Sequence, residues 1–255
     1  MKKQDFFTRP GIVCITAVFC CALWGSAVPF IKTGYLLFSI DATDTASILV
    51  FAGLRFALAG ILVLIAGSFL QKRILLPTKT SLKSIPILAL FQTAGQYFLY
   101  YIGLAHTSGV NGSIISGTSA FFALLVASLL FRFEKLSLTK VIGCIFGFFG
   151  ILIMNLQGVQ PFSLLGDGFM ILSQLSSAIS AAFIKLFTQK DDTVMLSGYQ
   201  FFLGGVVLMA VGLLMGGHLE LNDVSGLLVL FHLAFVSACA YTLWGILLSK
   251  NPVSK

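Results

Sequence analysis

Apolar residues fall along this chain in long unbroken runs, without alternation between neighbouring positions. A half-exposed strand alternates with period two and a soluble amphipathic helix is apolar at i, i+3 and i+4. A continuous apolar run of about 20 residues instead fits a helix crossing a hydrocarbon core of about 30 Å. Eight such runs occur, at 11–35, 47–69, 84–105, 109–131, 141–156, 168–187, 195–215 and 227–248. In lipid every backbone amide must be satisfied inside the protein, which leaves helices or a closed barrel. Continuous runs select helices, so the expected fold class is an all-α polytopic membrane protein with about eight transmembrane helices.

The segments between the runs predict the threading. With the N-terminus in the cytoplasm, the inner segments are 1–10, 71–83, 132–140, 188–194 and 250–255, and they hold Lys2, Lys3, Arg9, Lys72, Arg73, Lys79, Lys83, Arg132, Lys135, Lys140, Lys190, Lys250 and Lys255. The outer segments, 36–46, 106–108, 155–167 and 216–225, hold no Lys or Arg and carry Asp41, Asp44, Asp167, Glu220 and Asp223 instead. This is the positive-inside pattern. It predicts a multi-pass protein of the inner or plasma membrane. The basic start followed by an apolar run resembles a signal peptide, but the run is too long, and it reads as a retained first helix.

Composition narrows the classes further. Hydrophobic residues make up 58% of the chain and charged residues 10%, with a mean hydropathy of +1.00, against about 25% charged residues in a soluble domain. The net charge of +7 does not point to nucleic acid, because the basic residues alternate between loops rather than forming one stacked, basic face. Cys14, Cys20, Cys21, Cys144 and Cys239 lie inside apolar runs with no CxxC or Cys/His spacing. They read as small buried hydrophobes, so no metal, disulfide or cofactor is expected.

The second part of the chain repeats the first. Pro29-Phe30-Ile31-Lys32 is echoed by Ala182-Phe183-Ile184-Lys185, Arg55–Gly60 by Gln200–Gly205, and Leu88–Gln92 by Leu228–His232. Spans one to three therefore match spans six to eight. A repeat of five crossings is odd, so the second copy enters the membrane inverted, the signature of secondary transporters with a substrate site near the midplane. The expected halves are 1–157, with helices one to five, and 158–255, with helices six to eight. A full second copy would need two more spans, so the sequence reads as a fragment, a truncated product or an eight-span variant.

At these residues the chain resembles a known family. Trp24-Gly25 with Lys32 downstream, the junction LLFRFEKLSLTKVIGCIFGFFGILI at 129–153, and YTLWGILLSKNPVSK at 241–255 resemble the EamA branch of the drug/metabolite transporter superfamily. That resemblance implies two inverted five-helix repeats and export of small metabolites, often amino acids. The chain departs from the pattern by lacking the last two helices and by having no proline between Pro86 and Pro161.

Candidate binding residues are the polar side chains inside the spans. Trp24 lies near the middle of the first span, where a tryptophan lines a cavity or packs on helices. Pro29 removes an N–H, leaving the Gly25 carbonyl as a polar point or a simple kink. Gln92, Gln96 and Tyr100 recur every four residues, within about 80° on an ideal helix, and either line a cavity or bond between helices. Tyr97 and Tyr101 form a second stripe that reads as packing. Asn111, Thr118 and Ser119 edge the fourth span, and Gln174 and Ser177 edge the sixth; each suits ligand contact or close helix packing. His232 matches Gln92 in the repeat. Lys32 and Lys185 sit near enough to span ends to snorkel, Arg55 is deeper, and Glu134 is expected to tie the fourth–fifth junction.

All nine acidic residues are expected in loops. Without a buried carboxylate to exchange a cation for a proton, the pattern favours a neutral, zwitterionic or anionic metabolite. No HExxH, DxxD or Ser/His/Asp grouping suggests an enzyme. The leading expectation is a transporter of a small metabolite such as an amino acid, with the lipid bilayer as its other partner. The alternative is a truncated, inactive or assembly-dependent membrane protein.

Overall fold

The computed structural model describes residues 6–252 except Asn222; the side chains of Val28, Met154 and Asn155 are also outside the described set, as are Lys2, Lys3 and Lys255 of the charge pattern. Helix α1 (Pro10–Leu37) opens with proline in its first turn, where no N–H is needed, and runs through Pro29, whose carbonyl accepts from Thr33 Oγ1 at 3.1 Å. Helix α2 (Thr45–Leu70) is capped by Asp44, which accepts from the Ser47 amide at 3.1 Å. Then come α3 (Ser81–Leu88), a π turn (Ala89–Ala94), α4 (Gly95–Ala105), α5 (Gly109–Gly117), α6 (Ser119–Leu125), a second π turn (Val126–Leu130), α7 (Leu138–Asn155), α8 (Gly166–Phe187), α9 (Thr193–Leu214) and α10 (Val224–Lys250). Side-chain oxygens of Ser108, Asp192 and Asp223 cap α5, α9 and α10. The described part is all-α, with a helical segment at each of the eight expected runs.

Six helices are long and apolar enough to cross a membrane by length and composition: Pro10–Leu37, Thr45–Leu70, Gly109–Leu130, Gly166–Phe187, Thr193–Leu214 and Val224–Lys250. The fifth run gives a shorter apolar helix, Leu138–Ile153. The third and fourth runs, expected as uniform helices, each contain a π turn. In the third, Gly95 sits so close to the Leu90 carbonyl, five residues back, that a Cβ would collide with it. In the fourth, the Phe131 amide reaches the Val126 carbonyl at 3.0 Å. A π turn carries an extra residue, so side chains beyond it change face.

The chain divides into two compact units that interleave its halves. One combines the stretch up to Ala89 with Ile184–Asn251; the other is Leu90–Phe183. In the first unit, α2 and α9 run antiparallel in close contact. Gly53, Gly60 and Gly67 recur every seventh residue in α2, and Gly198, Gly205 and Gly212 do the same in α9, nearly two turns apart and so on one stripe. A Cβ on Gly53 would meet the Met209 amide, on Gly60 the Phe202 amide, and on Gly205 the Ala57 amide. Residue numbers rise along one helix as they fall along the other. Small residues let backbones approach where lipid supplies no hydrophobic drive to associate. Beside this seam Phe56 stacks on Phe201 at 5.8 Å and 15°, and Arg55, only 4% exposed, lies with its guanidinium carbon 4.3 Å from the Phe56 ring centre. Arg55 is thereby desolvated beside an aromatic face, a favourable place for a guanidinium.

The same unit packs α10 on α2 through Ala59, Val63, Ala234 and Ala238. At one end Thr78 and Thr80 donate to Asp191 at 2.6 and 3.0 Å, Gln71 donates to Asp192, and Tyr199 donates to the Leu75 carbonyl at 3.1 Å. Lys185, expected to snorkel, instead donates to the Asn251 carbonyl at 2.5 Å.

In the second unit α8 runs antiparallel to the π turn and α4. Ser176 Oγ donates to the Phe91 carbonyl at 2.7 Å, Ser173 Oγ donates to the Gln96 carbonyl at 3.0 Å, and Gly103 is pressed on the Gly166–Met170 turn. Val126, Ala178 and Ala182 form a small core with Phe122, Leu175 and Phe131. Asp167, expected in an outer loop, is 1% exposed in the first turn of α8 and accepts from Thr107 Oγ1, Asn111 Nδ2 and the Ser163 amide. Burial of a carboxylate is tolerated there because several donors meet it. Glu134 pairs with Lys140 at 2.7 Å, tying the fourth–fifth junction as expected.

Candidate functional site

Five of the residues singled out by sequence lie on the elements joined by the seam of the second unit: Gln92 in the π turn, Gln96 and Tyr100 on α4, and Gln174 and Ser177 on α8. Gln92 lies in the π turn and is 6% exposed; Gln174 lies on α8 and is 8% exposed. Neither side-chain amide has a hydrogen-bond partner among the described residues. Their amide atoms, unlike Trp24 Nε1 or His232 Nε2, are not fully buried and keep some accessible surface. Ser177 stands three residues after Gln174, on the same helical face. Gln96 is half-buried with its carbonyl held by Ser173, and Tyr100 lies edge-on to Tyr101 at 5.4 Å. Tyr97 and Tyr101 pack with it as expected, Tyr101 being 7% exposed.

The seam gains its rigidity from residues the sequence reading passed over. Ser173 and Ser176 clamp α8 to two carbonyls, and Ser180 turns back to the Ser177 carbonyl at 2.7 Å. Their signal was present as serines every three or four residues along the sixth span. With α8 fixed by serines on one face, the Gln174–Ser177 face is held at a constant position.

Asn111 has a different engagement. Its Nδ2 donates to the Gln160 carbonyl at 3.1 Å and to Asp167 at 3.2 Å, and its Oδ1 accepts from the Gln160 amide at 3.1 Å. The side chain is occupied in joining the starts of α5 and α8, away from the five-residue seam. Thr118 marks the break between α5 and α6 and donates to the Ile115 carbonyl at 2.5 Å; Ser119 is exposed.

Trp24 and His232 belong to the first unit. Trp24 is half-buried and meets Tyr241 at 5.1 Å and Trp244 at 5.3 Å, both edge-on; the His232 ring lies 4.1 Å from that of Phe30. Trp24 Nε1, His232 Nε2 and Thr242 Oγ1 are buried without hydrogen-bond partners among the described residues. Tyr241 and Trp244 were part of the quoted family motif, but their pairing with Trp24 needs α1 and α10 to be antiparallel neighbours. No group of three or more His, Cys, Asp or Glu stands ready to hold a metal among the described residues.

Six helices long and apolar enough to cross a membrane, in an all-helical described chain, define a polytopic membrane protein. A solved crystal structure shares the fold, with a TM-score of 0.66 and 20% identity over 90% of this chain and 82% of that one. The chain belongs to the EamA-like transporter family, which it matches over residues 11–156 and 164–255. Among its relatives, a WAT1-related chloroplastic protein of Arabidopsis thaliana is 29% identical over 68% of this chain and 44% of its own length. The transporter YyaM of Bacillus subtilis is 24% identical over 76% of this chain and 66% of its own, and a transporter of Synechocystis is 29% identical over 98% and 78%. The chain thus spans less than two thirds of the first two of these relatives.

Proposed function

We propose that this protein carries a small neutral, zwitterionic or anionic metabolite, of which an amino acid is the simplest case, outward across the cell membrane. The halves 1–157 and 158–255 act as inverted repeats that expose the site alternately to either side, with the N-terminus cytoplasmic. Family membership supports transport rather than catalysis. The observation that carries the reading is the pair of unpartnered amides of Gln92 and Gln174, on the two elements joined by Ser173 and Ser176, with Ser177, Gln96 and Tyr100 on the same elements. Amides donate and accept without titrating, so they can meet both the carboxylate and the ammonium of a zwitterion, or a neutral polar group. Trp24 and His232, in the first unit, are proposed as further substrate contacts, supported by their buried, unpartnered ring nitrogens.

The test is flux of a labelled amino-acid panel into vesicles holding the purified chain. Substrate-dependent flux is expected, reduced about tenfold by Gln92→Leu or Gln174→Leu, the value of one hydrogen bond to a buried group. Flux absent across the panel would sink the reading. Side-selective labelling is expected to place Asp41 and Lys79 in opposite compartments; a shared compartment would overturn the threading.

A further inference from the structure

Between the fourth and fifth runs lies a hollow of about 610 Å³, lined by Ser128, Leu129, Arg132, Phe133, Glu134, Lys135 and Leu136. Its charges do not cancel. Glu134 is 7% exposed in its side chain and is paired with Lys140 at 2.7 Å, which leaves Arg132 and Lys135 exposed at the rim. Arg132 is held with φ +55°, a conformation an ordinary side chain rarely adopts. Ser128, 8% exposed, lies in the wall, and its hydroxyl is buried without a hydrogen-bond partner among the described residues. Around the hollow the surface is apolar: Leu129 is 61% exposed, Leu130 65%, Leu136 45% and Leu138 76%.

We propose that this hollow binds the phosphate group of an anionic phospholipid. Two cations and a free hydroxyl supply donors for phosphate oxygens, and the exposed leucines suit the acyl chains that accompany a headgroup but not a free ion. Ser128, within the π turn of Val126–Leu130, and Arg132, just beyond it, both line the hollow. Basic groups beside the headgroups attract anionic lipid, each strengthening binding about fivefold. Occupation by lipid at this point would clamp the end of the fourth span to the start of α7, and the site is independent of the transport reading above.

The test is native mass spectrometry of the full chain in detergent, titrated with phosphatidylglycerol or phosphatidylcholine. Retention of phosphatidylglycerol about tenfold or more over phosphatidylcholine is expected. Arg132→Gln with Lys135→Gln abolishes that preference, whereas Lys79→Gln with Lys83→Gln, an equal loss of charge in another basic loop, leaves it intact. Equal losses in the two double variants would overturn the site, as would no preference in the parent chain. Displacement of the lipid by millimolar inorganic phosphate would also overturn it, by assigning the hollow to free anions. Should the first double variant not fold, Lys135→Gln alone is expected to lose about fivefold and Arg132→Lys to keep binding; failure of that contrast likewise rejects the proposal.

Discussion

The two compact units join antiparallel helices by opposite means. In the first, α2 and α9 meet backbone to backbone along glycines spaced by seven, with Phe56 stacked on Phe201 and Arg55 beside them. In the second, α8 meets the π turn and α4 through serine hydroxyls bound to carbonyls, with Gln92 and Gln174 buried beside them and unpartnered. In lipid, close packing and interhelical hydrogen bonds are the two available sources of helix association. The glycine seam brings backbone against backbone, so it tolerates no change of register. The serine seam instead holds its helices through directional bonds to two backbone carbonyls.

The sharpest way to break that contrast is Gly205→Leu. The side chain would enter the Ala57 backbone, which cannot move aside, and a loss of about 3 kcal/mol, the upper end of overpacking costs, is expected in detergent unfolding. A variant as stable as the parent would show that the two helices are not locked. Next in size, removing both hydroxyls with Ser173→Ala and Ser176→Ala is expected to cost about 2 kcal/mol in the same measurement, from two interhelical bonds. An unchanged melting profile would reduce the serines to bystanders.

Gln92→Leu separates the two seams more finely. Its amide holds no described partner, so folded stability is expected to stay level or rise slightly while flux falls about tenfold. Loss of stability with flux preserved would make Gln92 structural and leave the binding assignment without support.

The smallest effect concerns Asp44 at the start of α2. Hydrogen bonding from Ser47 holds its carboxyl below the ordinary Asp range, against a lesser opposing effect of burial. A depressed folded value means stability that is present above about pH 4 and is lost as pH falls through the folded value. Asp44→Asn keeps an N-cap while removing the titration, so the parent should lose more stability than the variant on acidification. Parallel melting curves down to pH 3 would refute this.

Much of the architecture was legible beforehand because lipid imposes a one-dimensional rule on sequence. Eight helical segments appear where apolar runs predicted them, since a polar group in the middle of a run would be stranded in hydrocarbon. The glycine register was legible as well: Gly53, Gly60 and Gly67 and their counterparts in α9 sit at fixed spacing in the second and seventh spans. The π turns were less accessible, because they depend on how Gly95 approaches Leu90 and how Phe131 returns to Val126, not on hydropathy. Asp167 was placed in a loop by its charge, yet Thr107, Asn111 and Ser163 bury it together.

By itself the sequence determined which segments are helical enough and apolar enough to leave water, because transfer into lipid is decided residue by residue along a run. Only the tertiary structure decided which polar groups find partners. It brought Gln92 and Gln174 to one seam without bonds, gave Asn111 to Asp167, and set Trp24 against Tyr241 and Trp244. Hydrogen bonding depends on distance and direction between residues far apart in the chain, and no local pattern encodes that.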